Sequence, residues 1–205
     1  MKILVAGSQG QVGRALVKVG ADQNLDLTAL DRSELDITDP NAIQAAFNKY
    51  KPEFFINATA YTFVEKAESE SELAFLINKK AVALLAKACS ESEIPILHFS
   101  TDYVFSGTHS GAYTEDMLPE PRSIYGKSKL AGETAIKNLC SKYLIFRTSW
   151  VFSPYGNNFV KTMLRLGCKK NLLNVVSDQF GKPTSAIELA RISLEVAKKA
   201  SLGKW

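Results

Sequence analysis

Along this chain, short apolar runs rich in branched residues alternate with longer stretches of helical periodicity, an order that predicts an α/β fold built as a doubly wound parallel sheet with helices on both faces. Two further observations agree. Glycines at positions 7, 10 and 13 follow the first apolar run directly, where a strand would turn into a helix. The 205 residues, 46% apolar and 22% charged, suffice for one domain, since a chain of this size buries roughly 70% of its unfolded surface.

The apolar runs place strands at 3–6, 25–30, 54–57, 96–100, 144–148 and 172–176, each expected to be buried on both faces. Between them, helices are expected at 11–19, 41–50, 71–90, 123–141, 158–169 and 185–199. In the 71–90 helix, Leu73, Leu76, Ile77, Ala81 and Leu84 recur at helical spacing and should face the sheet. In such a sheet, ligands lie at the carboxyl ends of the strands. No repeat, low-complexity tract or linker interrupts the pattern.

Charge points to a small-molecule partner. Twenty-five basic and 21 acidic residues are interspersed, net +4, with no basic stripe for nucleic acid or an anionic membrane. Cys89, Cys140 and Cys168 are odd in number and far apart, which fits buried thiols in a reducing compartment and neither disulfides nor a metal cage. The opening run Lys2-Ile3-Leu4-Val5-Ala6 is too short for a signal or spanning segment, so a cytoplasmic location is expected.

Gly7-Ser-Gln-Gly10-Gln-Val-Gly13 carries glycines spaced three and three, and side-chain-free positions let backbone approach a pyrophosphate resting on the following helix N-terminus. After the second strand stand Asp31 and Arg32. An acid there would bind a ribose 2′-hydroxyl and an arginine a 2′-phosphate, so NADH and NADPH are both open. Asp36 and Ile37 follow, at the expected adenine edge. The fourth strand runs into Ser100-Thr101-Asp102-Tyr103-Val104-Phe105, whose Thr101 hydroxyl could donate to a carbonyl oxygen. In Tyr125-Gly-Lys-Ser-Lys129, one helical turn puts a phenol and an ammonium on one face. A neighbouring cation favours the phenolate, so Lys129 should lower the Tyr125 pKa and ready it as the proton donor to a carbonyl. His98, inside a strand, and His109, in a polar loop without a carboxylate companion, are assigned no part.

Together these motifs resemble the extended short-chain dehydrogenase/reductases, a Rossmann-like class. Within it the chain is similar to the dTDP-4-dehydrorhamnose reductase family, on Gly10-Gln-Val-Gly13, Asn57-Ala-Thr-Ala-Tyr-Thr62, Ser100-Thr-Asp-Tyr-Val-Phe105, Tyr125-Gly-Lys-Ser-Lys129, Gly132-Glu133, Arg147-Thr-Ser-Trp-Val151 and Asp178-Gln-Phe-Gly-Lys-Pro-Thr184. The resemblance implies NAD(P)H-dependent reduction of the 4-keto group of dTDP-4-dehydro-6-deoxy-L-mannose to dTDP-L-rhamnose. It implies Tyr125 as proton donor, Lys129 as its activator and nicotinamide-ribose contact, and Thr101 as the group orienting the keto oxygen. Gly7, Gly10, Gln11, Val12 and Gly13 would meet the pyrophosphate, with Asp31, Arg32, Asp36 and Ile37 toward adenosine and Ala60, Tyr61 and Thr62 along the cofactor. Asp102, Tyr103 and Trp150 match positions that face substrate.

Departures from the family pattern are Thr59 in place of an alanine, Val64-Glu-Lys-Ala-Glu68, and Ser106 where an acid often stands. Some dimeric relatives carry a magnesium-binding glutamate two residues after the third glycine. Here that position is Ala15, so no metal is expected, and a homodimer stays open. Because the family runs beyond 205 residues, the expected organisation is a cofactor-binding and catalytic region over 1–150 and a small, incomplete C-terminal substrate lobe with packing helices over 151–205. A second reading is a nucleotide-binding regulatory subunit without turnover, since a relative of this family regulates methionine adenosyltransferase. A sugar-nucleotide epimerase or dehydratase fits the Ser100–Phe105 and Arg147–Val151 segments less well.

Overall fold

The computed structural model describes residues 1–201; the expected lobe's last residues, 202–205, lie outside them. Five parallel strands form the main sheet: β1 (Ile3–Ala6), β2 (Leu27–Leu30), β3 (Phe54–Asn57), β4 (Ile96–Thr101) and β5 (Tyr143–Thr148). Their order is β2-β1-β3-β4-β5, so the chain reverses its direction of winding between β1 and β3. In open parallel sheets such a switch point opens a crevice where ligands bind.

Helices cover both faces, as the alternation of strands and helices predicts. Leu4, Ala6, Phe55 and Ile96 point to a layer made by α2 (Pro40–Tyr50), α4 (Val82–Glu91) and α5 (Ile124–Leu139). Ile3, Val5, Phe54, Ile56 and Leu97 point the other way, onto α1 (Gln11–Asp22) and α7 (Ala186–Ser201). Successive residues of one strand thus enter different cores, which is why these runs are apolar throughout. Burial on both faces holds for β1 and β3, whereas β2 and β5 are largely half-buried because they are the sheet's edges. From the C-terminal portion, α7 gives Ala186, Ala190, Leu194 and Ala197 to the second core.

Two expectations fail. Residues 172–176 form no strand; Leu172 and Val176 are exposed. An apolar run becomes a strand only where a partner can take its hydrogen bonds. The pairing nearby is instead the short parallel contact of β6 (Val151–Phe152) with β7 (Thr184–Ser185). The expected 71–90 helix is interrupted: α3 (Ser71–Phe75) passes into a π-helical segment, Leu76–Ala81, before α4. The wider π turn shifts the inward face. Ala74, Asn78, Ala81, Val82 and Leu85 are buried, while Leu73 and Leu76 are exposed. Between β6 and β7, α6 (Phe159–Gly167) buries none of its residues and exposes Phe159, Val160 and Leu164.

Candidate active site

The glycine loop sits at the switch point. Gly7 adopts φ +97°, and a Cβ there would lie 2.8 Å from the Ala58 carbonyl oxygen at the end of β3. A Cβ on Gly13 would collide with the Gly7 carbonyl, so loop and helix close together only without side chains. Helix α1 begins after Gly10 with no side-chain cap and no acid in its first turn, whereas Asp39, Ser123 and Asn158 cap α2, α5 and α6. Its leading N–H groups suit a phosphate. The Gln11 side chain turns elsewhere. Its amide donates to the Val151 carbonyl at 3.3 Å, and its oxygen accepts from Ser153 and Asn158, each at 2.9 Å, so only the Gln11 backbone remains for a pyrophosphate. A cavity of about 520 Å³ beside α1 takes in Ser8, Gln9, Arg14, Lys18 and Glu34 but none of the tyrosine–lysine set.

At the end of β2, the Asp31 carboxylate accepts from the Ser33 hydroxyl at 2.6 Å and the Ser33 N–H at 2.8 Å. Asp36 accepts likewise from Thr38. These local bonds hold both acids below their ordinary pKa, hence ionised. Arg32 is exposed beside them, but Ile37 lies in the core with Leu35 and Ile43, so its side chain does not face an adenine edge. Beyond β3, Thr62 is exposed and Ala60 half-buried. The Tyr61 side chain packs inward and its phenol donates to Glu70 at 2.6 Å, so only its backbone borders the crevice.

Thr101 ends β4, and its oxygen accepts from the Tyr103 N–H at 3.2 Å. Ser123 caps α5 by accepting from the Gly126 N–H, and Glu68 accepts from the Ile124 N–H at 2.8 Å, which sets the start of the helix that carries Tyr125 and Lys129. The Tyr125 ring packs with Tyr61, Ala67 and Ala74 and meets Tyr103 edge-on at 5.6 Å, leaving Tyr125 9% exposed. Burial pushes its pKa up to about 12; hydrogen bonding with Thr101 opposes this, while Asp102 and Tyr103 add to it. Burial also raises the Asp102 carboxyl.

Lys129 is not directed at the phenol, which corrects the expectation that it lowers the Tyr125 pKa. Its Nζ donates to the Phe99 carbonyl at 2.7 Å and lies 3.2 Å from His98 Nε2. Burial brings its own pKa down to about 8, against the pull of Glu133. The phenol is therefore protonated across the neutral range, the form a proton donor requires. Trp150 is 45% exposed, has left-handed backbone (φ +45°) and lies against the Gly181 backbone, so this indole belongs to the surface and not to the core.

Sequence reasoning passed over His98, Asn57 and Asn78. His98 is fully buried on β4 between Lys129 and Asn57 Nδ2, the latter at 3.0 Å. Asn78, in the π segment, clamps the Tyr61 backbone at both N–H and carbonyl and donates to Ser128 at 3.0 Å. The available clue was a polar side chain within a strand whose neighbours are all apolar, since a buried polar group needs a partner.

The β1/β3 switch point with its glycine loop, and a Tyr-x-x-x-Lys helix alongside, place the chain among the short-chain dehydrogenase/reductases. Within that class it belongs to the family described as RmlD substrate binding domain, whose profile matches residues 1–204. It is 44% identical over 204 residues to a dTDP-4-dehydrorhamnose reductase of Aggregatibacter actinomycetemcomitans, covering 99% of this chain and 69% of the relative. Identity to the Salmonella typhimurium enzyme of the same name is 45% over 194 residues, covering 93% and 64%. The chain thus spans about two thirds of these relatives' length. Among solved structures it is similar to a Bacillus anthracis dTDP-4-dehydrorhamnose reductase in complex with NADP, at a TM-score of 0.94 and 39% identity, covering 98% of this chain and 72% of that one.

Proposed function

We propose that this chain carries out NAD(P)H-dependent reduction of the 4-keto group of dTDP-4-dehydro-6-deoxy-L-mannose, giving dTDP-L-rhamnose. The observation that carries the reading is the Thr101 hydroxyl at the end of β4, 3.1 Å from the Asp102 carboxylate, with the protonated Tyr125 phenol beside it and edge-on to Tyr103. The glycine cradle fits a dinucleotide, because a Cβ at Gly7 or Gly13 would fill it and the N–H groups of α1 stand uncapped. A bound nicotinamide supplies the hydride. Gly7, Gly10, Val12 and Gly13, with the Gln11 backbone, hold the pyrophosphate; Asp31, Arg32 and Asp36 line the adenosine end; Ala60 and Thr62, with the Tyr61 backbone, border the cofactor.

Thr101 orients the keto oxygen, and Tyr125 Oη gives it a proton as negative charge develops there. Lys129, in the same helix, would reach the nicotinamide ribose once its Nζ turns from the Phe99 carbonyl and His98. Asp102, Tyr103 and the exposed Trp150 face the sugar nucleotide. In this reading residues 1–150 form the cofactor and catalytic region and 151–205 a partial substrate lobe with packing helices, α7 among them lying in the core of the main sheet. In this reading the chain acts in the cytoplasm on a dTDP-sugar, with neither nucleic acid nor membrane as partner, and a homodimer stays open. Among the described residues no helix is long and apolar enough to cross a membrane.

The test is NADPH oxidation with the dTDP-keto sugar. Wild-type chain should turn over, and Tyr125→Phe should lose about 10²- to 10⁴-fold in kcat while still binding NADPH. NADPH binding without turnover by the wild type would instead support a nucleotide-binding regulatory subunit.

A further inference from the structure

Behind the catalytic face, four residues form a buried chain of hydrogen bonds whose proton positions can be counted. One terminal atom of the Asn57 amide accepts from the Thr59 N–H at 3.0 Å and the Thr59 hydroxyl at 2.6 Å. A backbone N–H can only donate, so that atom is the oxygen. The other is the NH₂ group, which lies 3.0 Å from His98 Nδ1. An amide NH₂ also only donates, so Nδ1 must accept with its lone pair. His98 is fully buried, and desolvation holds its pKa well below the ordinary value, so the ring is neutral, as an Nδ1 that must accept also requires. A neutral ring that accepts at Nδ1 carries its hydrogen on Nε2. That N–H points at Lys129 Nζ, 3.2 Å away.

An ammonium has three donors and no lone pair; an amine has a lone pair that can receive the Nε2 hydrogen. We infer that His98 is a positioning residue, locked by Asn57 as the Nε2–H tautomer, which presents its hydrogen to Lys129 and favours the neutral amine over the ammonium when no cofactor is bound. Protonating Lys129 would set N–H against N–H, and moving the ring hydrogen to Nδ1 would only transfer that conflict to Asn57.

The surroundings agree. The charge acting on Lys129 is Glu133 on α5, which favours the ammonium but is itself engaged by Arg147 of β5 and Ser100 of β4. From the π segment comes only the neutral Asn78, bonded to Ser128; from α5, one turn before, the protonated Tyr125. Lys129 can therefore change protonation state when a ligand enters, and the Thr59–Asn57–His98 chain sets the direction of that change. The bearing of that change on catalysis rests on the proposed part of Lys129 in the reaction; the tautomer does not.

The chain has only two histidines, so nitrogen-15 NMR of the cofactor-free protein can resolve the His98 ring. From about pH 6 to 9, His98 should show a protonated Nε2, a bare Nδ1 and no titration. Asn57→Asp should reverse the tautomer, because a carboxylate accepts from Nδ1–H, and should raise the Lys129 titration by about one pH unit or more. An Nδ1–H tautomer in the wild type, or an unchanged ring in a folded Asn57→Asp protein, overturns the inference. The wild-type spectrum decides even if that variant does not fold. Because the measurement needs no substrate, the expected tautomer without turnover would sink the reductase reading alone, and turnover with the Nδ1–H form would sink this one alone.

Discussion

Arg147 grips both carboxylate oxygens of Glu133, with Nη2 2.7 Å from Oε2 and Nε 3.0 Å from Oε1, and Glu133 is completely buried. Ser100 adds a third donor at 2.6 Å, and the guanidinium lies 4.9 Å above the Phe105 ring. One carboxylate thereby ties α5, which carries Tyr125 and Lys129, to β4 and β5.

Removing that carboxylate leaves a half-buried guanidinium without its partner. Glu133→Ala should destabilise the protein by about 3 kcal/mol, read as a lower urea midpoint at unchanged slope. A loss under about 1 kcal/mol would mean the pair acts like an exposed surface bridge.

Gly13→Ala tests the cradle. Its Cβ would run into the Gly7 carbonyl, backbone that cannot yield without moving the loop off the end of β3. We expect NADPH affinity to fall at least about tenfold and stability by about 1–3 kcal/mol, measured by fluorescence titration and thermal melting. Unchanged affinity would show that the pyrophosphate does not approach this loop.

The buried Lys129 should leave a mark on stability against pH. Its pKa falls from 10.5 to about 8 on folding, so between those values the unfolded chain binds more protons than the folded one. Unfolding free energy therefore rises with pH across that window. Relative to Lys129→Met, which lacks the group, the wild type should gain roughly 3 kcal/mol between about pH 7 and pH 10.5. Urea curves for both proteins at several pH values check this; parallel trends would show that Lys129 is solvated.

Much of the architecture is legible in the sequence because its determinants are local. Glycines at 7, 10 and 13 after a four-residue apolar run specify a loop between strand and helix, and Tyr125 and Lys129 share a face because four residues make a turn. The residues 172–176 look like a strand by composition, yet strand formation needs a pairing partner, and this segment does not reach the edge strand β5 but stays exposed. Of the residues expected on the inward face of the 71–90 stretch, Ile77, Ala81 and Leu84 do pack on the core, while Leu73 and Leu76 are exposed because the π turn at Leu76–Ala81 changes the period there.

Composition and spacing were enough to determine the alternating layers, the phosphate-loop position and the tyrosine–lysine pair, since each depends on interactions within a few residues or on apolarity along a strand. What the lysine does with its ammonium was decided by residues brought from 30 and more positions away. His98 and the Phe99 carbonyl draw Lys129 away from Tyr125, and Asn57 orients His98 from the adjacent strand. A pKa depends on every group that surrounds an atom in three dimensions, and no one-dimensional pattern contains that shell.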